Sequence, residues 1–398
     1  MPTSAGPNIS GEENLVFGYD LSDQKNSYLG EPTTNLANNT PLYGGWPGSY
    51  ALIDSATKTF DFTTSSVEWG GVAAWTTYYY NVSEYTGQYV TISAVVESFD
   101  ETSGVFSFMW IGQTVDDQVY LGYSPEQDRN TKTTKTKERI SWSGIIGTGG
   151  KVGILIWMNN GTGGPSGSIK VRFSNLQVEV KSHPTTFING TRSATQGLLD
   201  LKGASTINIS TTSFDNSSQL IFDGSDDYIT LSSTSHPTGS CSMEIIINHT
   251  HNFVGSRYLL YGASGTAFWT FFRGDWAGNL LYFTRRVTNS GNYGDSAWGY
   301  TTGIYQPVPA NETMHLIFTH DATTGEFKCY KNGILTRTVN GNLAAYGALN
   351  TTQQSHYIGG SPGDNLPMTL PLFKFYDRVL SSSEVLNNYN NIKRKYGI

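Results

Sequence analysis

The sequence predicts an all-β fold in two domains. Three observations carry this. Runs of alternating apolar and polar residues recur along the chain, the period of a half-buried strand. Charged residues are only 14%, against ~25% in an average soluble protein, while aromatics reach 13% and Gly numbers 44. The 398 residues exceed one ordinary domain of roughly 150 residues. Such a surface must be built from Ser, Thr, Asn and Gly, the profile of short strands joined by turns in extracellular or virion proteins. The net charge of −7 argues against nucleic acid or an anionic membrane as a general partner. No apolar run approaches the ~18 residues of a spanning helix, so no membrane insertion is expected. The start, MPTSAGPNISGEENL, has neither a basic nor an apolar region, so it does not read as a secretory signal.

The strands come in order. Val90, Ile92, Ala94 and Val96 alternate with Thr91, Ser93, Val95 and Glu97. Phe106, Phe108 and Trp110 share a face, as do Val152, Ile154 and Ile156. In IKVRFSNLQVEV the inward set is Ile169, Val171 and Phe173, then Leu176, Val178 and Val180. The phase slips near Ser174–Asn175, which predicts a β-bulge. Further on, Cys241, Met243, Ile245 and Ile247 alternate with Ser242, Glu244 and Asn248; LLYFTRRV and MHLIFTH add strands. In EFKCYKNGILTRTV, Asn332–Gly333 supplies the two positive-φ residues of a type I′ hairpin turn. One helix is predicted, about Ser382 to Lys395. Ser381 and Glu384 form its capping box. Val385, Tyr389, Ile392 and Tyr396 make its apolar stripe. Lys393, Arg394 and Lys395 lie at the negative end of its dipole. The two cysteines, Cys241 and Cys329, sit at inward strand positions and read as buried thiols. An echo marks the domain boundaries: Glu31-Pro32-Thr33-Thr34 and His183-Pro184-Thr185-Thr186. Proline cannot donate to a ladder, so both are linker signals.

The second half resembles the laminin-G/concanavalin A-like lectin superfamily in the form found in bacteriophage virion proteins. The residues are LIFDGSDDYITL (220–231), SMEIIIN (242–248), MHLIFTHDATTGEFKCYKNGILTRTVNG (314–341), YIGGSPG (357–363) and PLFKFYDRVLSSSEVLNNYNNIKRKYGI (371–398). NLVFGYDLSDQKNSYLG (14–30) is similar to the opening strand of those phage proteins. There it lies close in sequence to the FDG strand; here about 190 residues intervene. The resemblance therefore implies a concanavalin A-like (laminin-G-like) β-sandwich from residues 1–33 and 185–398, with residues 34–184 inserted into one of its loops. A guest with neighbouring termini enters a surface loop with little disturbance. The insert resembles carbohydrate-binding-module jelly rolls, its end FSNLQVEVKSHPTTFINGTRS being similar to theirs.

Candidate chemistry is sparse. The enzymatic branch of the superfamily carries a Glu-x-Asp-x-x-Glu set along one strand, and a glycosidase needs two apposed carboxylates. Glu97, Asp100 and Glu101 come nearest, but Ser98–Ser103 reads as a turn, so no catalytic residue is assigned. Asp223, Asp226 and Asp227 surround Gly224. They suit a calcium ion, or simply a turn held by Asx hydrogen bonds, which is the simpler reading. Asp364 with Asn365 offers a further oxygen pair. His249 and His251 lack neighbours at zinc spacing. Lys132, Lys135, Lys137 and Arg139 suit a solvated edge strand. The aromatics Trp69, Trp75 and Tyr78, with Tyr79 and Tyr80 beside them, crowd one stretch of the insert. Trp269, Trp276, Trp298 and Tyr300 read as standing in Gly-rich loops of the other domain. Such rings stack on sugar faces, or fill cores and subunit contacts. The expected protein is a non-enzymatic virion surface component (fibre, appendage or capsid decoration). Its expected partners are other virion proteins, further copies of itself and a cell-surface glycan. A secreted polysaccharide-binding or polysaccharide-degrading protein is the alternative.

Overall fold

Alternation decides which face each strand buries, and the buried faces decide how the sheets pair. The computed structural model describes residues 13–38, 42–44, 48–65, 73–101, 106–115, 120–121, 137–159, 168–231, 237, 239–250, 255–262, 268–275, 278–287, 291–293, 303–340, 356–360 and 367–398. They fall into two units. The first runs to Glu31 and resumes at Ser193, apart from 216–218; the second holds Pro32–Arg192.

The first unit has a six-stranded antiparallel sheet. Its order is Leu15–Asp20, Met368–Tyr376, Cys241–His249, Met314–His320, Glu326–Lys331 and Ile334–Asn340. The opening strand thus lies against the closing one, Gly18 opposite Lys374 and Tyr19 opposite Phe373. A seven-stranded sheet includes Ile229–Leu231, His356–Ile358, Gly255–Gly262, Phe268–Asp275 and Gly278–Val287. One core joins the two, with Phe17, Met243, Leu316 and Phe373 from the first sheet meeting Leu231, Leu260, Phe283 and Ile358 from the second. This is a β-sandwich. The hairpin turn stands where the sequence puts it, with φ of 51° at Asn332 and 79° at Gly333. A Cβ on Gly333 would also lie 3.1 Å from the Tyr389 ring, so glycine serves both the turn and the packing there.

The outer face of the six-stranded sheet is covered too. The helix Ser382–Tyr396 lies over it, burying Val385 with Ile317, Tyr330 and Tyr376, and Ile392 with Ile246 and Leu372. Ser381 caps the helix, both capping-box bonds being present, and Gly397 ends it in a left-handed conformation. Its last turn is tied to the opening strand. The buried carboxylate of Asp20 accepts hydrogen bonds from Lys395 Nζ at 2.9 Å and from the Tyr396 hydroxyl. Burial alone would raise the Asp20 pKa; hydrogen bonds from Ser22, Tyr396 and Lys395 outweigh it and hold the pKa below the usual range. Among the described residues no helix is long and apolar enough to cross a membrane.

The second unit is also built from two sheets over one core. One runs Glu138–Ile145, Tyr89–Glu101, Ser168–Glu179, Thr59–Ser65, Gly48–Asp54; the other runs Tyr43–Gly44, Ala73–Asn81, Lys151–Asn159, Phe106–Val115, Tyr120–Leu121. Val90, Ile92, Ala94, Val96, Val171, Phe173, Leu176 and Val178 all point into the core. The bulge falls between Ser174 and Gln177, with Asn175 at φ 54°. A second irregularity, opposite Arg172 and Phe173, leaves Glu97 as the extra residue. The expected turn over Ser98–Ser103 is corrected: residues 98–101 continue the strand, because Ser98 through Glu101 pair with Arg172 through Ile169. The unit closes after Arg192 rather than after Pro184. Thr33–Thr34 pairs with Thr191–Arg192, and Glu179 accepts hydrogen bonds from the Thr185 N–H at 2.9 Å and hydroxyl at 2.6 Å.

Cys241 and Cys329 are buried thiols. Burial pushes the Cys329 thiol up to about 12, where the reactive thiolate is scarce. Neither thiol is expected to react with an aromatic disulfide reagent in native buffer, and both should react in denaturant. Rapid stoichiometric labelling of the native protein would contradict this.

Candidate functional site

The acidic loop follows from the strands that flank it. Phe222 exchanges two backbone hydrogen bonds with Met368, and Ile229–Leu231 restarts the chain in the second sheet. Between them the backbone must turn sharply. Gly224 has φ of 85°, and a Cβ there would meet Pro367 Cδ at 2.7 Å, so only glycine fits. Ser225 N–H donates to Asp223 Oδ1 at 2.7 Å. The Asp223 N–H donates to Asp227 Oδ2 at 2.5 Å, and the Ser213 hydroxyl donates to Asp227 Oδ1 at 3.1 Å. The Asx chemistry expected for a turn is therefore present.

The same loop converges three carboxylates. Asp223, Asp226 and Asp227 each place an oxygen within 4.8 Å of the others; the first two are exposed and the third is buried. Two oxygens on opposite sides of a calcium ion, each at about 2.3–2.6 Å from it, are separated by a similar distance. Burial, then the neighbouring charge of Asp223, raises the Asp227 pKa. A hard cation would relieve that repulsion, so these residues fit one.

The aromatic candidates divide. Tyr78 is corrected: its ring is fully buried, 4.6 Å from the Phe62 ring, so it belongs to the core and cannot meet a glycan. Alternation along Ala73–Asn81 sends Tyr78 and Tyr80 inward and leaves Tyr79 facing out, where it stacks on the exposed Tyr43 at 5.7 Å. Trp75 lies on Ala73–Asn81, opposite Trp157 of the neighbouring strand Lys151–Asn159. Trp269 is corrected: it lies not in a loop but in the strand Phe268–Asp275, opposite Thr284 of Gly278–Val287, because the apolar run Phe268–Phe272 pairs there. Trp69, Trp276, Trp298 and Tyr300 lie outside the described residues, as do His251, Lys132, Lys135, Asp364 and Asn365. His249 is a core histidine, its Nε2 at 2.7 Å from the Val308 carbonyl. Arg139 lies on Glu138–Ile145, at the end of the strand order of its sheet.

Sequence reasoning missed a buried polar cluster beneath the helix. Glu244 Oε1 accepts from His315 Nε2 at 2.9 Å. Its Oε2 accepts from the Tyr376 hydroxyl at 2.8 Å and from Asn388 Nδ2, on the helix, at 3.0 Å. Lys374 Nζ lies 4.0 Å away. Burial alone would push this carboxyl up; the Lys374 charge, with the His315 and Tyr376 hydrogen bonds, holds it at about 2. His315 Nε2 therefore carries the proton in that bond, since an ionised carboxylate only accepts. Ile246, Ile317 and Leu372 share this face only through the strand register, so no local sequence signal marked it as covered.

A search of curated sequences found no match. Among solved structures, a botulinum neurotoxin serotype D ligand binding domain in complex with N-acetylneuraminic acid is 11% identical with a TM-score of 0.40, covering 50% of this chain and 49% of that one. The botulinum neurotoxin type G receptor binding domain is 16% identical at 0.38, covering 50% and 49%. A Trypanosoma rangeli sialidase is 15% identical at 0.36, covering 50% and 31%. This chain thus spans about half or less of those proteins, and likenesses at these scores bear on neither ligand nor activity. The family profile is the informative match: residues 223–386 are similar to the concanavalin A-like lectin/glucanases superfamily.

Proposed function

We propose that this chain is a non-enzymatic structural protein of a bacteriophage virion surface, acting as fibre, appendage or capsid decoration, and that it holds host-surface glycan weakly. The observation that carries the glycan reading is the lectin-superfamily domain at 223–386, which presents the solvent-facing carboxylates of Asp223 and Asp226 at one of its loops. The phage reading is supported by the similarity of residues 371–398 to phage members of the superfamily, and by the low charge and high Ser, Thr and Asn content. Repeated copies on one particle would raise the avidity of weak sites by about 10²–10⁴.

Immunogold electron microscopy of particles from the source tests the location. Label on the particle exterior is expected; label absent from particles, with the protein free in the medium, contradicts it. Incubation with the polysaccharides it binds tests the non-enzymatic claim. Release of reducing ends with turnover would favour the polysaccharide-degrading alternative.

The acidic loop gives a separate expectation. Calcium at about 10 mM should stabilise the first unit by about 1–3 kcal/mol, if the loop binds in the 10⁻⁴–10⁻³ M range of extracellular modules. Asp227→Asn should abolish the shift in unfolding temperature. An equal shift in that variant would show that calcium acts elsewhere.

A further inference from the structure

A polar groove of about 540 Å³ opens on the second unit, lined by Thr57, Thr59, Glu97, Ser98, Arg172 and Ser174. That volume lies in the range of small-ligand sites, ~300–1,000 Å³. Two irregularities of strand pairing make it. One leaves Glu97 as an extra residue opposite Arg172 and Phe173; the other follows Ser174, where Asn175 takes a φ of 54°. Bulges of this kind re-aim side chains and gather beside sites. Here Val171 and Phe173 face the core, the Arg172 side chain reaches solvent, and Ser174 is buried beside Glu97 at the groove wall. The bulge also pins one wall, since the Asn175 N–H donates to the Thr57 carbonyl at 2.7 Å. The turn before Thr57 is held in its own right, its hydroxyl donating to Asp54 Oδ2 at 2.8 Å.

The charged groups of the groove are fixed before any ligand arrives. Asp61 grips the Arg172 guanidinium with both oxygens, at 2.6 and 2.8 Å. Asp61 is buried, yet the Arg172 side chain remains 41% exposed. Ser174 Oγ donates to Glu97 Oε1 at 2.5 Å. Lys170 lies 3.0 Å from the same Asp61. Among the lining residues Glu97 and Arg172 carry one charge of each sign, so a multiply charged ligand of either sign meets a like charge. A ligand rich in neighbouring hydroxyls meets partners for both its roles: its O–H groups donate to the Glu97 carboxylate and its oxygens accept from guanidinium and hydroxyl donors. Held side chains lose little entropy on binding it.

The geometry points to this groove as a binding site for an uncharged saccharide, a place on the second unit that holds the glycan of the proposed function; the assignment rests on that function being right. The test uses the full chain. Wild-type protein is screened on an array of neutral and acidic oligosaccharides, and affinity for the best neutral binder is measured by calorimetry. Glu97→Gln and the groove-filling Ser98→Trp are expected to weaken it about tenfold or more, with the unfolding temperature of Glu97→Gln unchanged. Wild-type affinity in both variants, together with loss in Asp223→Asn, would overturn the groove while leaving glycan binding intact. Selective capture of phosphorylated or sulfated sugars would overturn the uncharged ligand. Silence across the array would overturn the groove and the glycan reading together.

Discussion

Glu244→Ala is expected to destabilise the first unit by about 3–5 kcal/mol, the cost of breaking a buried ion pair from one side. The carboxylate is fully buried and receives hydrogen bonds from His315, Tyr376 and Asn388. Without it, the nearly buried Lys374 ammonium loses the negative charge 4.0 Å away, and the helix loses the bond that Asn388 makes to the sheet. The double variant Glu244→Met with Lys374→Met should recover much of the loss, since apolar residues of similar volume often replace a buried pair at little cost. Denaturant titration reads both, with the midpoint moving at constant slope. A Glu244→Ala variant within about 0.5 kcal/mol of wild type, as for an ordinary surface substitution, would mean that the cluster is not buried as described. Acid gives an independent reading. The folded carboxyl titrates at about 2, below its ordinary 4.5. Its contribution is therefore present above pH 4.5 and is lost as pH falls from there toward 2. Glu244→Gln should flatten that acid limb.

The second large effect is expected near the start of the chain. Phe17→Ala should cost about 3–5 kcal/mol, from lost transfer energy and the cavity left behind. Phe17 is fully buried, with Phe373 and Tyr19 rings 6.0 and 6.4 Å from its own. Among the described residues its strand pairs in the sheet with Met368–Tyr376 alone, so the substitution reports on whether that pairing is made. Differential scanning calorimetry is the direct measurement. An unchanged transition would mean that the amino-terminal strand does not belong to the core.

Much of the fold was legible because strand period and turn chemistry are local signals. The Val90–Val96 alternation, the phase slip at Asn175, the Asn332–Gly333 turn and the Ser381–Glu384 box each need only a few neighbouring residues. Glu244 was not legible by the same rule. Alternation assigned it to an outward face, and whether that face meets water depends on a helix about 140 residues away in sequence. Tyr78 failed for a related reason. Three consecutive tyrosines look like a surface cluster until the strand's phase splits them into Tyr78 and Tyr80 inside and Tyr79 outside. The groove residues were invisible singly, because Glu97 becomes distinctive only once a bulge brings it beside Arg172, far away in sequence. The acidic loop was legible as residues but ambiguous in purpose, since the hydrogen bonds that build a turn also gather the oxygens a cation wants.

The central claim is that the opening strand and the chain's last strand are partners in one sheet, with residues 32–192 folded as a unit of their own between them. Native-state hydrogen exchange of the Leu15–Asp20 segment tests it most directly. Those amides are expected to exchange with the slowest class, alongside the Cys241–His249 strand, through global opening of the sandwich. Exchange of Leu15–Asp20 at the rate of an unstructured peptide, while Cys241–His249 stays protected, would contradict it.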